Sequence, residues 1–195
     1  MASGFKYDLE PVVETEERYD VQTGIRRRGP FKLVTANLVE GSFLPSFVPI
    51  YADLKNKFAY PVRNVKVIEA YTSGTAIKVA KNSLAYSGMF IGNGSKGAKV
   101  AAIDKSNKAY DVLTTEAAFG EAVVKGAVLF EAVAVDGLKQ KYTANSALYE
   151  RKKVENDIVL VALLRTAAEI EPDKLAMPFS EKDKESLKGW FEFNE

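Results

Sequence analysis

Glycine or proline interrupts the middle of the chain about every ten residues. The breaks fall at Gly41, Pro45, Pro61, Gly74, Gly88, Gly92, Gly94, Gly97, Gly120, Gly126 and Gly137. No helical apolar period is sustained across residues 31–140. This spacing dictates short strands joined by turns, hence a mainly β domain.

The strand candidates follow from the segments left over. Residues 32–36 form one. Residues 47–52 form another, which Pro49 confines to an edge or a bulge. Residues 62–71 alternate apolar and polar for part of their length. Residues 75–80 alternate cleanly, with Ile77 and Val79 facing one way and Lys78 the other. Residues 99–104 and 110–115 bracket Ser106-Asn107, a tight hairpin turn. Residues 127–135 are apolar on both faces and predict one long buried strand. The run DIVLVALLR at 157–165 is a buried strand or a buried helix, and its length favours the strand. Ser180-Glu181-Lys182-Asp183 resembles a capping box with Asp in place of Glu. It starts a short helix that Gly189 ends. Trp190, Phe191 and Phe193 then either plug the base of the core or mark an interface.

Residues 1–30 differ in kind. Between Asp8 and Asp20 lie six acids against Arg18 alone, and Arg26-Arg27-Arg28 follows. Apolar side chains, Tyr7, Val12, Val13 and Tyr19 among them, stand singly without a period of 2 or 3.6. An extended arm or a disordered tail fits this pattern. As an arm it becomes ordered on a partner, with Tyr7, Val12, Val13 and Tyr19 buried and Arg26, Arg27 and Arg28 against an acidic surface. The expected organisation is an arm (1–30), an antiparallel β-barrel or sandwich core (31–150) and a C-terminal strand–helix segment packed on it (151–195).

The residue inventory narrows the chemistry. The 195 residues include no Cys and no His. That removes disulfides, Ser-His-Asp and Cys-His sites, and zinc sites built on sulfur or imidazole. A net charge of +1 disfavours a general nucleic-acid binder. No apolar run approaches the ~20 residues that span a bilayer, and the acidic N-terminus is not a signal peptide. Gly92-Asn93-Gly94-Ser95-Lys96-Gly97 is glycine-rich but lacks the spacing of a phosphate-binding loop, which leaves a hairpin loop. Asp104 and Asp111 would have to meet across a hairpin to work as paired carboxylates. No enzyme activity, cofactor or metal is expected.

The order of segments is itself informative. A turn-rich Val-Pro segment at 47–53 leads into AYPVRNVKV (59–67), then IKVAK (77–81), GMFIG (88–92), AIDKS (102–106), YDVLT (110–114) and GAVL (126–129). The 157–165 run and a helix ending in Gly-Trp-Phe-Glu-Phe close the series. Over about residues 40–195 this resembles the head-fibre and head-decoration proteins of tailed bacteriophages, including the crAss-like phages of gut Bacteroidetes. The resemblance implies a structural virion protein, made in the host cytoplasm and bound to the outer capsid surface. Its partners would be the major capsid protein and further copies of itself, as a dimer or trimer, with neither nucleic acid nor membrane. The alternative is a glycan- or receptor-binding adhesive module, with Tyr51, Tyr60, Tyr71, Tyr86 and Trp190 as stacking faces.

Overall fold

The computed structural model describes residues 18–194. The first part of the chain supplies β1 (Asp20–Arg26), β2 (Phe31–Leu33), β3 (Phe43–Leu44), β4 (Pro49–Asp53) and β5 (Phe58–Pro61). The middle supplies β6 (Asn64–Lys66), β7 (Ala76–Ala80), β8 (Phe90–Gly92), β9 (Gly97–Asp104), β10 (Tyr110–Thr115) and β11 (Val128–Glu131). The last part supplies β12 (Ser146–Leu148), β13 (Lys152–Lys153), β14 (Leu160–Val161), β15 (Leu163–Ile170), α1 (Glu181–Leu187) and β16 (Phe191–Phe193). The molecule is mainly β, as the turn spacing requires.

Apart from β3 and β13, which pair with each other, the first and last groups interleave in one eight-stranded sheet of order β1-β15-β12-β4-β5-β2-β14, with β16 beside β15. Only Ala162 separates β14 from β15. They act as one bent strand whose start pairs with β2 and whose remainder pairs with β12 and β1, so the sheet curls back on itself. The middle group forms a six-stranded sheet of order β6-β11-β8-β9-β10-β7. Its two ends meet at a Val67–Val79 bridge, where the Ile68 N–H donates to the Lys78 carbonyl at 3.1 Å. Residues 64–131 are therefore a second curled unit inserted between β5 and β12. β14 and β15, from the expected C-terminal segment, pair within the first sheet. Most pairs are antiparallel, but β2–β5 and β15–β16 are parallel.

Packing explains the long apolar runs. Leu163 and Leu164 point to opposite faces of β15. Leu163 joins Phe31, Ile50 and Leu148 in one core, and Leu164 joins Phe47, Phe179, Leu187 and Phe191 in another. A strand covered on both faces reads as a continuous apolar run. The insertion has its own core around Ile77, Val79, Ile91, Val100, Leu113 and Leu129.

Several local expectations change. Pro49 lies in β4, between β12 and β5, rather than at an edge. It is tolerated as the first residue of the strand. The 127–135 run forms only the four residues of β11, and Val133 and Val135 are exposed beyond it. The hairpin between β9 and β10 closes with a longer loop than a two-residue turn, pairing Asp104 with Val112. Residues 20–26, expected in the arm, form the strand β1 on the chain's own sheet. Its register shifts between Asp20 and Ile25 and again before Arg26. This irregularity removes the period of 2 by which a strand is recognised in sequence. The Thr23 hydroxyl accepts from the Ala168 N–H, and the Thr166 hydroxyl donates to the Thr23 carbonyl.

The capping box forms as read. The Ser180 hydroxyl accepts from the Asp183 N–H, and the Asp183 carboxylate accepts from the Ser180 N–H. Gly189, at φ +84°, follows the helix in the left-handed region that glycine favours.

Candidate partner-binding site

The basic triplet lies where the chain leaves β1 and crosses to β2. There it lines an open groove of about 470 Å³ together with Lys57 and Arg165. Lys57 sits at φ +59° at the end of the β4–β5 turn, which Asp53 organises by accepting from the Lys55 and Asn56 N–H groups. Phe31, Leu54 and Trp190 complete the lining, so among the described residues five cations stand around an apolar floor and no carboxylate takes part.

The cations have distinct roles. Arg27 is tied inward: its Nε donates to the Ser146 hydroxyl at 2.5 Å and its guanidinium to the Asn145 carbonyl at 2.6 Å. Burial, and then the nearby Arg165 charge, push its pKa down. The Arg165 guanidinium lies 4.4 Å from the centre of the Trp190 ring, and the Arg26 guanidinium 5.1 Å from that of Tyr149. The Lys57 ammonium sits 4.9 Å over Phe31. These ring contacts hold the side chains without neutralising them. Among the described residues the groove thus keeps positive charge without a carboxylate partner beside a half-exposed tryptophan, a combination that suits an acidic protein surface.

The structure places Arg26, Arg27 and Arg28 in one groove with Lys57 and Arg165, which the sequence did not single out and which reach it only through the curl of the sheet. Tyr19 packs inward, its ring centre 4.9 Å from that of Phe47. Tyr7, Val12 and Val13 lie outside the described residues. Phe191 is buried in the core and Phe193 packs against it, whereas Trp190 remains half exposed.

The other candidates resolve into structural parts. The Gly92–Gly97 segment is the β8–β9 hairpin. The Asn93 side-chain Oδ1 accepts from the Ser95 and Lys96 N–H groups, and Glu121 accepts from the Asn93 side-chain amide and the Ser95 hydroxyl. Gly92 and Gly97 pack directly against the backbone of Gly137, where a Cβ on any of the three would collide. Asp104 and Asp111 do not pair. Asp104 is exposed and accepts from the Ser106 N–H, while Asp111 is buried with Lys81 at 2.7 Å. Lys78 pairs with Glu69 at 2.6 Å.

A second charged cluster was not foreseen. Buried Glu131 accepts from Arg63 at 3.1 Å, from Lys141 at 2.8 Å and from the Tyr86 hydroxyl at 2.7 Å. Burial pushes its carboxyl up, but the hydrogen bonds from Lys141 and Tyr86 and the Arg63 charge outweigh that and hold it below the ordinary value. Only the fold brings these four residues together.

A family model described as Head fiber protein matches residues 1–191. The match extends through the N-terminal region that carried no resemblance, and nothing in it singles out the crAss-like phages. No curated protein and no solved structure matches the chain.

Proposed function

The chain belongs to the phage head fibre protein family, and from that premise we propose that it sits on the outer capsid surface, with its basic groove against an acidic patch of the major capsid protein. The family is structural, and the chain is a virion component by membership. The observation that supports the groove as the contact is its lining, among the described residues, of five cations with no carboxylate. Such a surface steers an acidic partner during encounter and then pairs with it as water leaves. Trp190 and Phe31 add apolar area at the centre, where interface energy concentrates. Arg27 is the positioning member, because its hydrogen bonds fix the crossover between β1 and β2.

The test is reconstitution. Arg26, Arg28 and Arg165 are replaced together by Glu, leaving the tethered Arg27 in place, and the protein is mixed with particles lacking it. Binding should fall at least about tenfold, since each reversed contact at an interface costs on the order of 1 kcal/mol or more. Binding of the unaltered protein should also weaken as salt rises. Undiminished binding of the triple variant would exclude the groove as the contact.

A further inference from the structure

The outer face of the first sheet carries a cluster of three tyrosines. Tyr51 and Tyr60 oppose each other across β4 and β5, with ring centres 6.0 Å apart. Tyr142 stacks with both, at 5.5 Å from Tyr51 and 4.7 Å from Tyr60, each pair inclined by 23°. Tyr51 is 36% exposed, and Tyr60 and Tyr142 are half-buried.

At its Tyr60–Tyr142 end the cluster borders a cup of about 80 Å³ whose wall includes Arg63, Lys141 and Asn37. Arg63 is only 6% exposed. Its terminal nitrogens donate to Glu131 at 3.1 Å and to the Ala36 carbonyl at 2.5 Å, but its buried Nε has no partner. Two cations, Arg63 and Lys141, share one carboxylate, Glu131. One positive charge is left over beside the buried Arg63 Nε–H; it sits on the partly exposed Lys141 in the wall of the cup, where an anion can meet it.

The cup is much smaller than the roughly 300–1,000 Å³ of a complete ligand pocket. It admits one substituent, and the remainder of a ligand must lie along the tyrosines. Aromatic faces take up the apolar face of a ring, and the cup takes a carboxylate. One class of ligand carries both features, a saccharide containing a sugar acid. We infer that this face binds an acidic saccharide, with its carboxylate in the cup near Arg63 and Lys141 and the adjoining ring against the Tyr142–Tyr60–Tyr51 strip.

The inference is independent of how the protein is seated on the capsid. Of the stacking residues suggested by sequence, it retains Tyr51 and Tyr60. Tyr71 is buried in the insertion core, and Tyr86 is engaged by Glu131. The experiment is calorimetric titration of the full chain with a tetrasaccharide of alternating glucuronic acid and N-acetylglucosamine. Its carboxyl-reduced counterpart serves as the neutral control. The acidic form should bind at least about tenfold more tightly than the reduced form, and Tyr142→Ala or Lys141→Gln should each weaken it by a similar factor. Both substitutions lie at partly exposed positions, and circular dichroism verifies that the fold persists. Equal affinity for the two saccharides, unchanged binding by both variants, or no binding of either saccharide up to about 10 mM would overturn the assignment.

Discussion

At the scale of single residues, Glu131 is the most consequential side chain that no local pattern announces. Its folded-state pKa lies below the ordinary 4.5. Its stabilising contribution is therefore complete above that value and is lost as pH falls through the lower, folded one. Glu131→Gln leaves Arg63 buried without its counter-charge and should cost about 3–5 kcal/mol near neutral pH. Denaturant titrations of both proteins should show that gap narrowing below pH 4.5. A gap independent of pH would mean the carboxylate's charge is not what matters. The arginine triplet, by contrast, was readable because its members are consecutive. Lys57, Arg165, Arg63 and Lys141 were not, since each joins its cluster from a distant part of the chain. Glycine was visible at positions 92, 97 and 137 too, but not the reason for it, which is contact between two backbones.

At the scale of elements, reading succeeded where a signal is local. The cap of α1 is one such case, yet its Asp183 does more than cap. Fully buried, it also accepts from the Ala144 N–H at 2.7 Å, from Gln140 at 2.9 Å and from Asn64 at 2.7 Å. It thereby joins the helix to β6 of the insertion. Ser180→Ala should cost about 1 kcal/mol, the usual effect of losing a cap. Asp183→Asn turns acceptors toward donors that then lack partners, and should cost at least about 3 kcal/mol. Thermal unfolding of the two variants checks the ranking, and equal losses would reduce Asp183 to an ordinary cap. The short strands were likewise found from alternation and turn residues. β1 escaped because a register shift broke its alternation, and the 127–135 run was overextended because apolar character alone does not show where pairing stops.

At the scale of the whole molecule, the fold class was legible and the nesting was not. Strand order depends on which distant segments pair, and turn spacing says nothing about that. The pairing also determines the edge through which copies could meet. β7 is closed by the Val67–Val79 bridge, with Lys78 and Lys81 engaged in ion pairs. β1 ends the first sheet and exposes Val21 and Ile25, at 59% and 58%. An uncovered strand edge invites pairing with another chain. Self-association should therefore run through β1 as a closed dimer or trimer. Sedimentation equilibrium at micromolar concentration should give a mass above that of one chain, and Val21→Lys with Ile25→Lys should return it to the monomer. A monomer mass for the unaltered protein would rule this out.

The insertion is anchored by neighbouring ends. Its first strand and its last, β6 and β11, pair directly, with Asn64 opposite Phe130. Entry and exit thus stand only about 5 Å apart, the spacing of antiparallel neighbours. This is a socket. A foreign domain whose own termini lie close together could be plugged in between Val65 and Leu129 while the surrounding sheet keeps its strand order.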